Sequence, residues 1–437
     1  VAILAEPGTE MPINAGAVTL IEDPNPRARF ARMAAHFFHR QPKTIVAVTG
    51  TNGKTSTVSF TRQIWAHLDQ SAASLGTLGL KTVNSDFKPK DDEAASHTTP
   101  DPVALHYMMD KAAAAGINCL ALEASSHGLS QYRLEGVQLS AAAFTNLSRD
   151  HIDYHGSMED YFKAKSRLFS ELLESGRPCV INADNDYSER LVELCNKRGL
   201  KVLTYGRNGR DIKLIEQTPT ATGQILKIEF HDEIYEIAIP VVGIYQGHNA
   251  LCALGIVSAS NTEKRKPKTY IKALESLNGV RGRLEKVGER AHGGAVFVDY
   301  AHTPDALKNV IEAMRPHTEE RLIVVFGCGG DRDRGKPPMM GRIVSEMADM
   351  AIVTDDNPRT ENPKAIRQEI LSNCPRGIEV GDRRKAIQYA VNKLRRGDIL
   401  IVAGKGHEQG QTIDKIVYPF DDATEVRKAI VNADRNN

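Results

Sequence analysis

From Lys43 onward, short apolar runs alternate with stretches whose apolar residues recur every three or four positions. The runs TIVAV, INCLALE, AAAFTN and CVIN have strand length, and the stretches between them have helical period, so the pattern predicts an α/β domain with a mostly parallel sheet. One crossover is explicit. Asp101 and Pro102 read as N-cap and first helical residue, Leu105, Met108, Met109 and Ala112 fall on one face, and Gly116 ends the segment. Near Asp211 the period changes to two in DIKLIEQ, QILKIEF and EIYEIAI, which predicts antiparallel hairpins at a sheet edge. Helical period returns at Gly247. A second alternation starts near Gly293, where VFVDY, LIVVFG, MAIVTDD and DILIVAG are separated by helical stretches, predicting a further, Rossmann-like α/β domain. GCGGDRD does not satisfy G-x-G-x-x-G, so no dinucleotide site is indicated. The boundary between the two domains is expected between Leu277 and Arg283.

Length agrees with this division, since 437 residues correspond to two or three domains of about 100 to 200 residues each. Charge narrows the partners. With 56 basic against 55 acidic residues, no global field draws nucleic acid or an anionic membrane, and any anion must be held locally. The six cysteines, Cys119, Cys179, Cys195, Cys252, Cys328 and Cys374, form no C-x-x-C pair and read as buried thiols of a reducing cytoplasm. No apolar stretch approaches the roughly 18 residues of a membrane helix, so a soluble protein is expected. Val1 is not an initiator methionine, and VAILAE reads as a strand entered midway.

Candidate chemistry begins at TIVAVTGTNGKTSTVSF, an apolar strand, a glycine-containing turn and a helix starting at Lys54. Such a turn gathers unpaired backbone N–H groups and the positive end of a helix dipole, which suits a triphosphate. Gly50 and Gly53 let the backbone approach the phosphates, Lys54 neutralises the terminal ones, and the Thr55 hydroxyl suits Mg²⁺. The strict G-x-x-x-x-G-K-[ST] pattern fails because Val48 stands at the first glycine. The competing reading is an ordinary strand-to-helix turn carrying a surface lysine.

TGTNGKT is the form this loop takes in the Mur ligases and the related folylpolyglutamate synthetases. Further blocks follow in order: HTTPDP from His97, EASSHGLSQYR from Glu123, TNLSRDHIDYHG from Thr145, YFKAKSRLF from Tyr161, DYAHTPDAL from Asp299, GCGGDRDRGK from Gly327, DDNPRTENP from Asp355 and AGKGHE from Ala403. Together they resemble the Mur ligases over essentially the whole chain, and within that family the branch that adds diaminopimelate. The resemblance implies a central ATP-binding domain over residues 43–280, a C-terminal amino-acid-binding domain over 281–437, and a remnant of a uridine-binding domain over 1–42. It also implies ATP-dependent ligation of meso-diaminopimelate to the D-glutamate γ-carboxylate of UDP-N-acetylmuramoyl-L-Ala-D-Glu through an acyl phosphate, in cytoplasmic peptidoglycan precursor synthesis that serves cell shape and division, by a monomer.

Residue roles carry over by position. ATP would lie on Gly50, Thr51, Asn52, Gly53, Lys54, Thr55 and Ser56, with Asn249 at adenine and Arg283, Asp299 and His302 completing the site. Two Mg²⁺ ions are implied, one at Thr55 and Glu123 and one at His151 and a carbamylated Lys165; with Lys54, the last three make up the implied catalytic set. The muramoyl peptide would meet His97, Thr98, Thr99, Ser125, Gln131 and Arg133. Diaminopimelate would meet Arg332, Asp356, Asn357, Pro358, Arg359, Gly404 and Glu408, with Arg359 gripping the second carboxylate that lysine lacks. Some positions depart from the family: His97 replaces an asparagine, and GIYQGHN departs from G-x-F-N-x-x-N at Tyr245 and Gln246.

Read without the family, the same residues have plainer uses. Lys165 is one lysine on an amphipathic helix, His151 a structural hydrogen-bonder, and the Ser and Thr residues caps or turn formers. An Asx turn accounts for Asp-Asn-Pro but not for Arg359. Two rival functions stay open: folylpolyglutamate synthesis, against which HTTP and DNPR argue, and a P-loop switch or motor ATPase, which leaves the downstream blocks without work.

Overall fold

The computed structural model describes residues 2–11, 18–83, 97–220, 222–260, 265–333 and 335–435. The chain forms two compact units, one of Val1–Gln217, Leu226–Ile239 and Gln246–Leu277, the other of Thr218–Ile225, Pro240–Tyr245 and Asn278–Asn437.

The first unit is built on a ten-stranded sheet. Its centre is Thr44–Thr49, paired in parallel with Cys119–Glu123 on one side and Ala141–Phe144 on the other. Ile45, Val46, Ala47 and Val48 are all fully buried, as a strand covered on both faces requires. Beyond Cys119–Glu123 come Ala72–Gly76, in parallel, and Gly79–Val83, which closes that edge antiparallel. In the other direction Pro178–Asn182 and Lys201–Gly206 continue the parallel pairing, and Ile212–Thr220 joins through Tyr205↔Ile212 before Gly223–Phe230 and Glu233–Ile239 complete the order. The crossover helix Pro102–Ala114 starts where the sequence places it, because the Asp101 carboxylate accepts the N–H groups of Val103 and Ala104 at 3.0 and 3.1 Å. It ends before Gly116, whose φ of 79° suits glycine. Ala2–Ala5 pairs in parallel with Thr19–Glu22 in a separate two-stranded sheet.

The second unit has a six-stranded sheet in the order Glu285–Glu289, Ala295–Asp299, Ile399–Ala403, Leu322–Phe326, Met350–Val353, Ile378–Glu379. The first strand pairs antiparallel and the others in parallel. Ile399–Ala403 lies between two strands that precede it by most of the domain, so the connections diverge beside it. The carboxyl ends there carry Asp299, Gly327, Thr354 and Gly404, and ligands of open α/β sheets bind at that edge. The short hairpin Gly410–Ile413 and Ile416–Pro419 stands apart from the sheet.

All six cysteines are buried free thiols. Among the described residues no helix is long and apolar enough to cross a membrane.

His317 ties the second unit together. It is 6% exposed, Gly243 N–H donates to its Nε2 at 3.0 Å, and its Nδ1 lies 2.7 Å from the Thr220 carbonyl. The neutral Nδ1–H tautomer satisfies both contacts, whereas the imidazolium would present a second N–H to Gly243. Burial lowers its pKa, opposed by the Thr220 carbonyl. The unfolded chain therefore binds more protons below its own pKa of about 6.5, and stability falls as pH drops through that value towards the folded one. Urea melts at about pH 7.5 and about pH 5.5 should show a smaller pH slope in His317→Gln than in the native protein; equal slopes would remove His317 as a source.

Candidate active site

The loop Gly50 to Gly53 leaves the strand Thr44–Thr49 and opens the helix Lys54–His67. Two glycines are required by geometry. Gly50 has φ 149° and Gly53 φ 85°, and a Cβ would strike Thr145 Oγ1 at the first and Asn249 Oδ1 at the second. Asn249, on the helix Ile244–Ser260, therefore sits directly against the loop, with its Nδ2 donating to Gln246 Oε1 at 3.0 Å. The segment Thr145 to Ser148 braces the loop from the other side. Thr51 N–H donates to the Asn146 carbonyl at 2.8 Å, Asn52 N–H to Asn146 Oδ1 at 2.9 Å, and Thr145 Oγ1 to the Asn52 carbonyl at 2.6 Å. The amides of Thr51 and Asn52 thus serve the loop itself, and the start of the helix Lys54–His67, whose dipole favours negative charge, is the part of the turn suited to an anion.

Two ammonium groups converge on this loop. Lys54 Nζ donates to the carbonyls of Gly50 at 2.9 Å and Thr51 at 2.8 Å, and Lys165 Nζ donates to the same Gly50 carbonyl at 2.7 Å. Lys165 lies on the helix Met158–Arg167, is buried, and rests 4.5 Å above the Tyr161 ring. Burial pushes its pKa well down and Lys54 adds to the shift. His151, in the left-handed region at φ 52°, sits beside Asp150, and burial lowers its pKa as well.

Glu123 ends the strand Cys119–Glu123 and is 2% exposed. Its Oε2 accepts the Thr55 hydroxyl at 3.0 Å and the Thr77 hydroxyl at 3.2 Å, while Oε1 accepts Thr77 N–H at 2.8 Å. A Cβ on Gly76 would collide with the same carboxylate. Thr55 and Glu123 thus place two hard oxygen donors together at the helix start, a set that fits Mg²⁺. His151 and unmodified Lys165 do not make a second such set, because an ammonium has no lone pair to give. Among the described residues no cluster of three or more His, Cys, Asp or Glu could hold a metal.

Thr98, Thr99, Ser125, Gln131 and Arg133 form one connected cluster beyond Glu123. Thr98 Oγ1 lies 3.2 Å from Thr77 Oγ1. Thr99 is buried, donates to the Glu123 carbonyl at 2.8 Å and accepts Ser125 N–H at 2.9 Å; the Ser125 hydroxyl caps the next helix through Gly128 N–H at 3.0 Å. Both hydroxyls therefore do local structural work. Arg133 donates to the Thr99 carbonyl at 2.6 Å and to Gln131 Oε1, and Gln131 Nε2 donates to the Tyr154 hydroxyl at 3.0 Å. His97 is exposed.

In the second unit, the loop after Met350–Val353 brings the other motifs together. Asp356 is 6% exposed and its Oδ2 has no hydrogen-bond partner; a Cβ on Gly404 would occupy the space beside that oxygen. Asn357 Nδ2 donates to Glu408 Oε2 at 3.0 Å. The Pro358 carbonyl lies where a Cβ on Gly330 would sit. Arg359, at φ 52°, donates from Nη1 to the Gly330 carbonyl at 2.6 Å. Arg332 is exposed nearby in sequence. Arg283 lies 4.7 Å over the Tyr300 ring, the His302 ring packs against the same Tyr300 ring with centroids 4.4 Å apart, and buried Asp299 accepts the N–H groups of Leu284 at 2.7 Å and Ala301 at 2.8 Å. Burial raises the Asp299 pKa against those stabilising contacts.

Comparison with known proteins decides the family. A family model described as the Mur ligase middle domain matches residues 48–257, and one described as the Mur ligase glutamate ligase domain matches 282–406. The chain belongs to the Mur ligase family. A UDP-N-acetylmuramoyl-L-alanyl-D-glutamate–2,6-diaminopimelate ligase of Rhizobium meliloti is 51% identical over 97% of this chain and 85% of its own length. One of the same description from Caulobacter vibrioides is 46% identical over 95% of this chain and 85% of its own. A solved structure of a ligase so described superposes with a TM-score of 0.69 at 33% identity, covering 95% of this chain and 85% of the other. Mycobacterium tuberculosis folylpolyglutamate synthase gives a TM-score of 0.68 at 18% identity over 86% of this chain and 92% of its own, a likeness of fold alone.

Within this Mur ligase, several residues beside the expected ones escape a motif reading. Thr77, held to Glu123 by both its amide and its hydroxyl, lies in LGTLG, where nothing but position after a strand marks it. Asn146 lay inside a quoted block without a role. Lys405, inside AGKGHE, is completely buried, and no periodicity signals a buried lysine.

Proposed function

We propose that this Mur ligase joins meso-diaminopimelate to the D-glutamate γ-carboxylate of UDP-N-acetylmuramoyl-L-Ala-D-Glu, with ATP as co-substrate, in peptidoglycan precursor synthesis. The observation that carries the reading is an unpartnered buried carboxylate oxygen at Asp356 in the same loop as the Arg359 guanidinium, whose Nη1 is held by the Gly330 carbonyl. Together they match an amino-acid head that bears both an ammonium and a carboxylate.

A carboxylate is a poor electrophile, so ATP activates it. A γ-carboxylate oxygen attacks the γ-phosphorus, the bond to the bridging oxygen breaks, and ADP departs, leaving an acyl phosphate. The diaminopimelate amine then attacks the carbonyl carbon, loses a proton, and expels phosphate. Lys54 and the first-turn amides of Lys54–His67 offset charge on the transferring phosphoryl group. Thr55 and Glu123 would hold Mg²⁺, which supplies further neutralisation of the phosphate oxygens. In this reading Asn249, pressed against Gly53, borders the nucleotide.

Lys165 is the candidate for carbamylation. Burial and the neighbouring Lys54 lower its pKa, which favours the neutral amine that adds to CO₂; loss of a proton then gives a carbamate, an oxygen donor beside His151. Protein equilibrated with ¹³CO₂ should show a carbamate carbon resonance that Lys165→Ala lacks; the same resonance in both would move the modification elsewhere.

The function is tested by incubating ATP and UDP-muramoyl dipeptide with meso-diaminopimelate or with L-lysine and weighing the products. The expected result is a tripeptide from diaminopimelate with one ADP per amide. ADP release indifferent to amino acid would favour a motor-type ATPase, and glutamate addition in a parallel incubation with ATP, a folate and L-glutamate would favour the synthetase.

A further inference from the structure

Lys405 follows Gly404 in the turn after the strand Ile399–Ala403 and is 0% exposed. A buried ammonium is costly unless acceptors and an opposite charge offset its lost hydration. Its Nζ donates to Asn357 Oδ1 at 2.8 Å and to Glu408 Oε2 at 3.1 Å. Asn357 Oδ1 also accepts Thr412 N–H at 2.9 Å from the hairpin Gly410–Ile413. Neither Lys405 nor a backbone N–H can accept, so these two donors fix which end of the Asn357 amide is oxygen. The NH₂ end is thereby directed to Glu408 Oε2, 3.0 Å away. Both bonds to Glu408 land on Oε2, which leaves Oε1 to serve a ligand.

The hairpin holds the rest of the loop. Gln411 Nε2 donates to the Asp356 carbonyl at 2.7 Å, Arg359 N–H to the Thr412 carbonyl at 3.1 Å, and Asp414 N–H to the Arg359 carbonyl at 2.6 Å. Beneath it, Arg383 and Asp422 form a fully buried ion pair with both bonds at 2.7 Å. Counting formal charges, Lys405 and Arg383 face Asp356, Glu408 and Asp422, a deficit of one positive charge that a ligand ammonium fills. Arg359 then adds one positive charge, which a ligand carboxylate fills. Removing Lys405 deepens the deficit to two and favours a ligand carrying an ammonium without a carboxylate.

We propose that Lys405 is the positioning residue of the amino-acid site, orienting Asn357 and Glu408 and setting the charge count that selects a zwitterionic head over a lone ammonium. The proposal rests on the diaminopimelate reading above. Its test is steady-state kinetics of Lys405→Met and Lys405→Arg with diaminopimelate and with L-lysine, alongside thermal shifts induced by ATP. In Lys405→Met the KM for diaminopimelate should rise by roughly tenfold or more, the preference over lysine should narrow, and KM for ATP and its thermal shift should hold. Lys405→Arg should restore the preference while KM stays raised, because charge returns without the ammonium's geometry. If Lys405→Met does not melt cooperatively, Thr412→Pro removes the other donor to Asn357 Oδ1 and should raise the diaminopimelate KM in the same way. Wild-type KM and preference in Lys405→Met, or in Thr412→Pro when that stands in, would overturn the proposal. A native protein that uses neither amino acid would instead defeat the ligase reading itself.

Discussion

Replacing Lys54 with alanine is expected to lower kcat for amide formation by about 10²- to 10³-fold, the usual cost of removing one preorganised donor from a developing charge. The lysine stands at the start of Lys54–His67 with its Nζ bonded to the Gly50 and Thr51 carbonyls, so its position is set before any phosphate arrives. Charge builds on the transferring group as the bridging bond breaks, and the effect should fall mainly on kcat rather than on KM for ATP. Lys54→Arg should not restore the rate, since a planar fork cannot reproduce an ammonium held between two carbonyls. The measurement is ADP release under saturating substrates. A KM effect with kcat unchanged would mean that Lys54 only binds nucleotide.

The second large effect belongs to Arg359. Arg359→Ala should raise KM for diaminopimelate by about 10²-fold or more, because truncating one side of a desolvated charge pair costs roughly 2 to 5 kcal/mol. Arg359 stands at φ 52°, and alanine, which also carries a Cβ, meets similar strain there, so the backbone change contributes little. The Thr412 and Asp414 contacts use backbone atoms and survive the substitution. ATP-induced thermal stabilisation should stay as in the native protein. Equal loss of ATP stabilisation and diaminopimelate use would assign Arg359 to the fold.

Much of this was legible in the sequence, for identifiable reasons. TIVAV, INCLALE and LIVVFG are buried on both faces, so continuous apolar runs name them as strands, and the Asp101-Pro102 start is written in capping chemistry. Ala72–Gly76 was not legible, because AASLG has small residues of weak strand preference and becomes a strand by lying in parallel beside Cys119–Glu123. Ile378–Glu379 is two residues long, below any period. Motif blocks single out Glu123, Arg359 and Glu408 as candidates, yet the groups that brace such residues come from distant segments. Thr77 braces Glu123 across 46 positions, and Lys405 reaches Asn357 across 48. Thr99 and Ser125 show the opposite lesson, for their hydroxyls turn out to be joined to each other and to backbone, as the turn-and-cap reading of those residues allowed.

The central claim is that ATP is consumed to convert the D-glutamate γ-carboxylate into an acyl phosphate. UDP-muramoyl dipeptide labelled with ¹⁸O in that carboxylate, turned over with ATP and meso-diaminopimelate, should release inorganic phosphate carrying one ¹⁸O per amide formed. Phosphate free of label, with amide still produced, would contradict it.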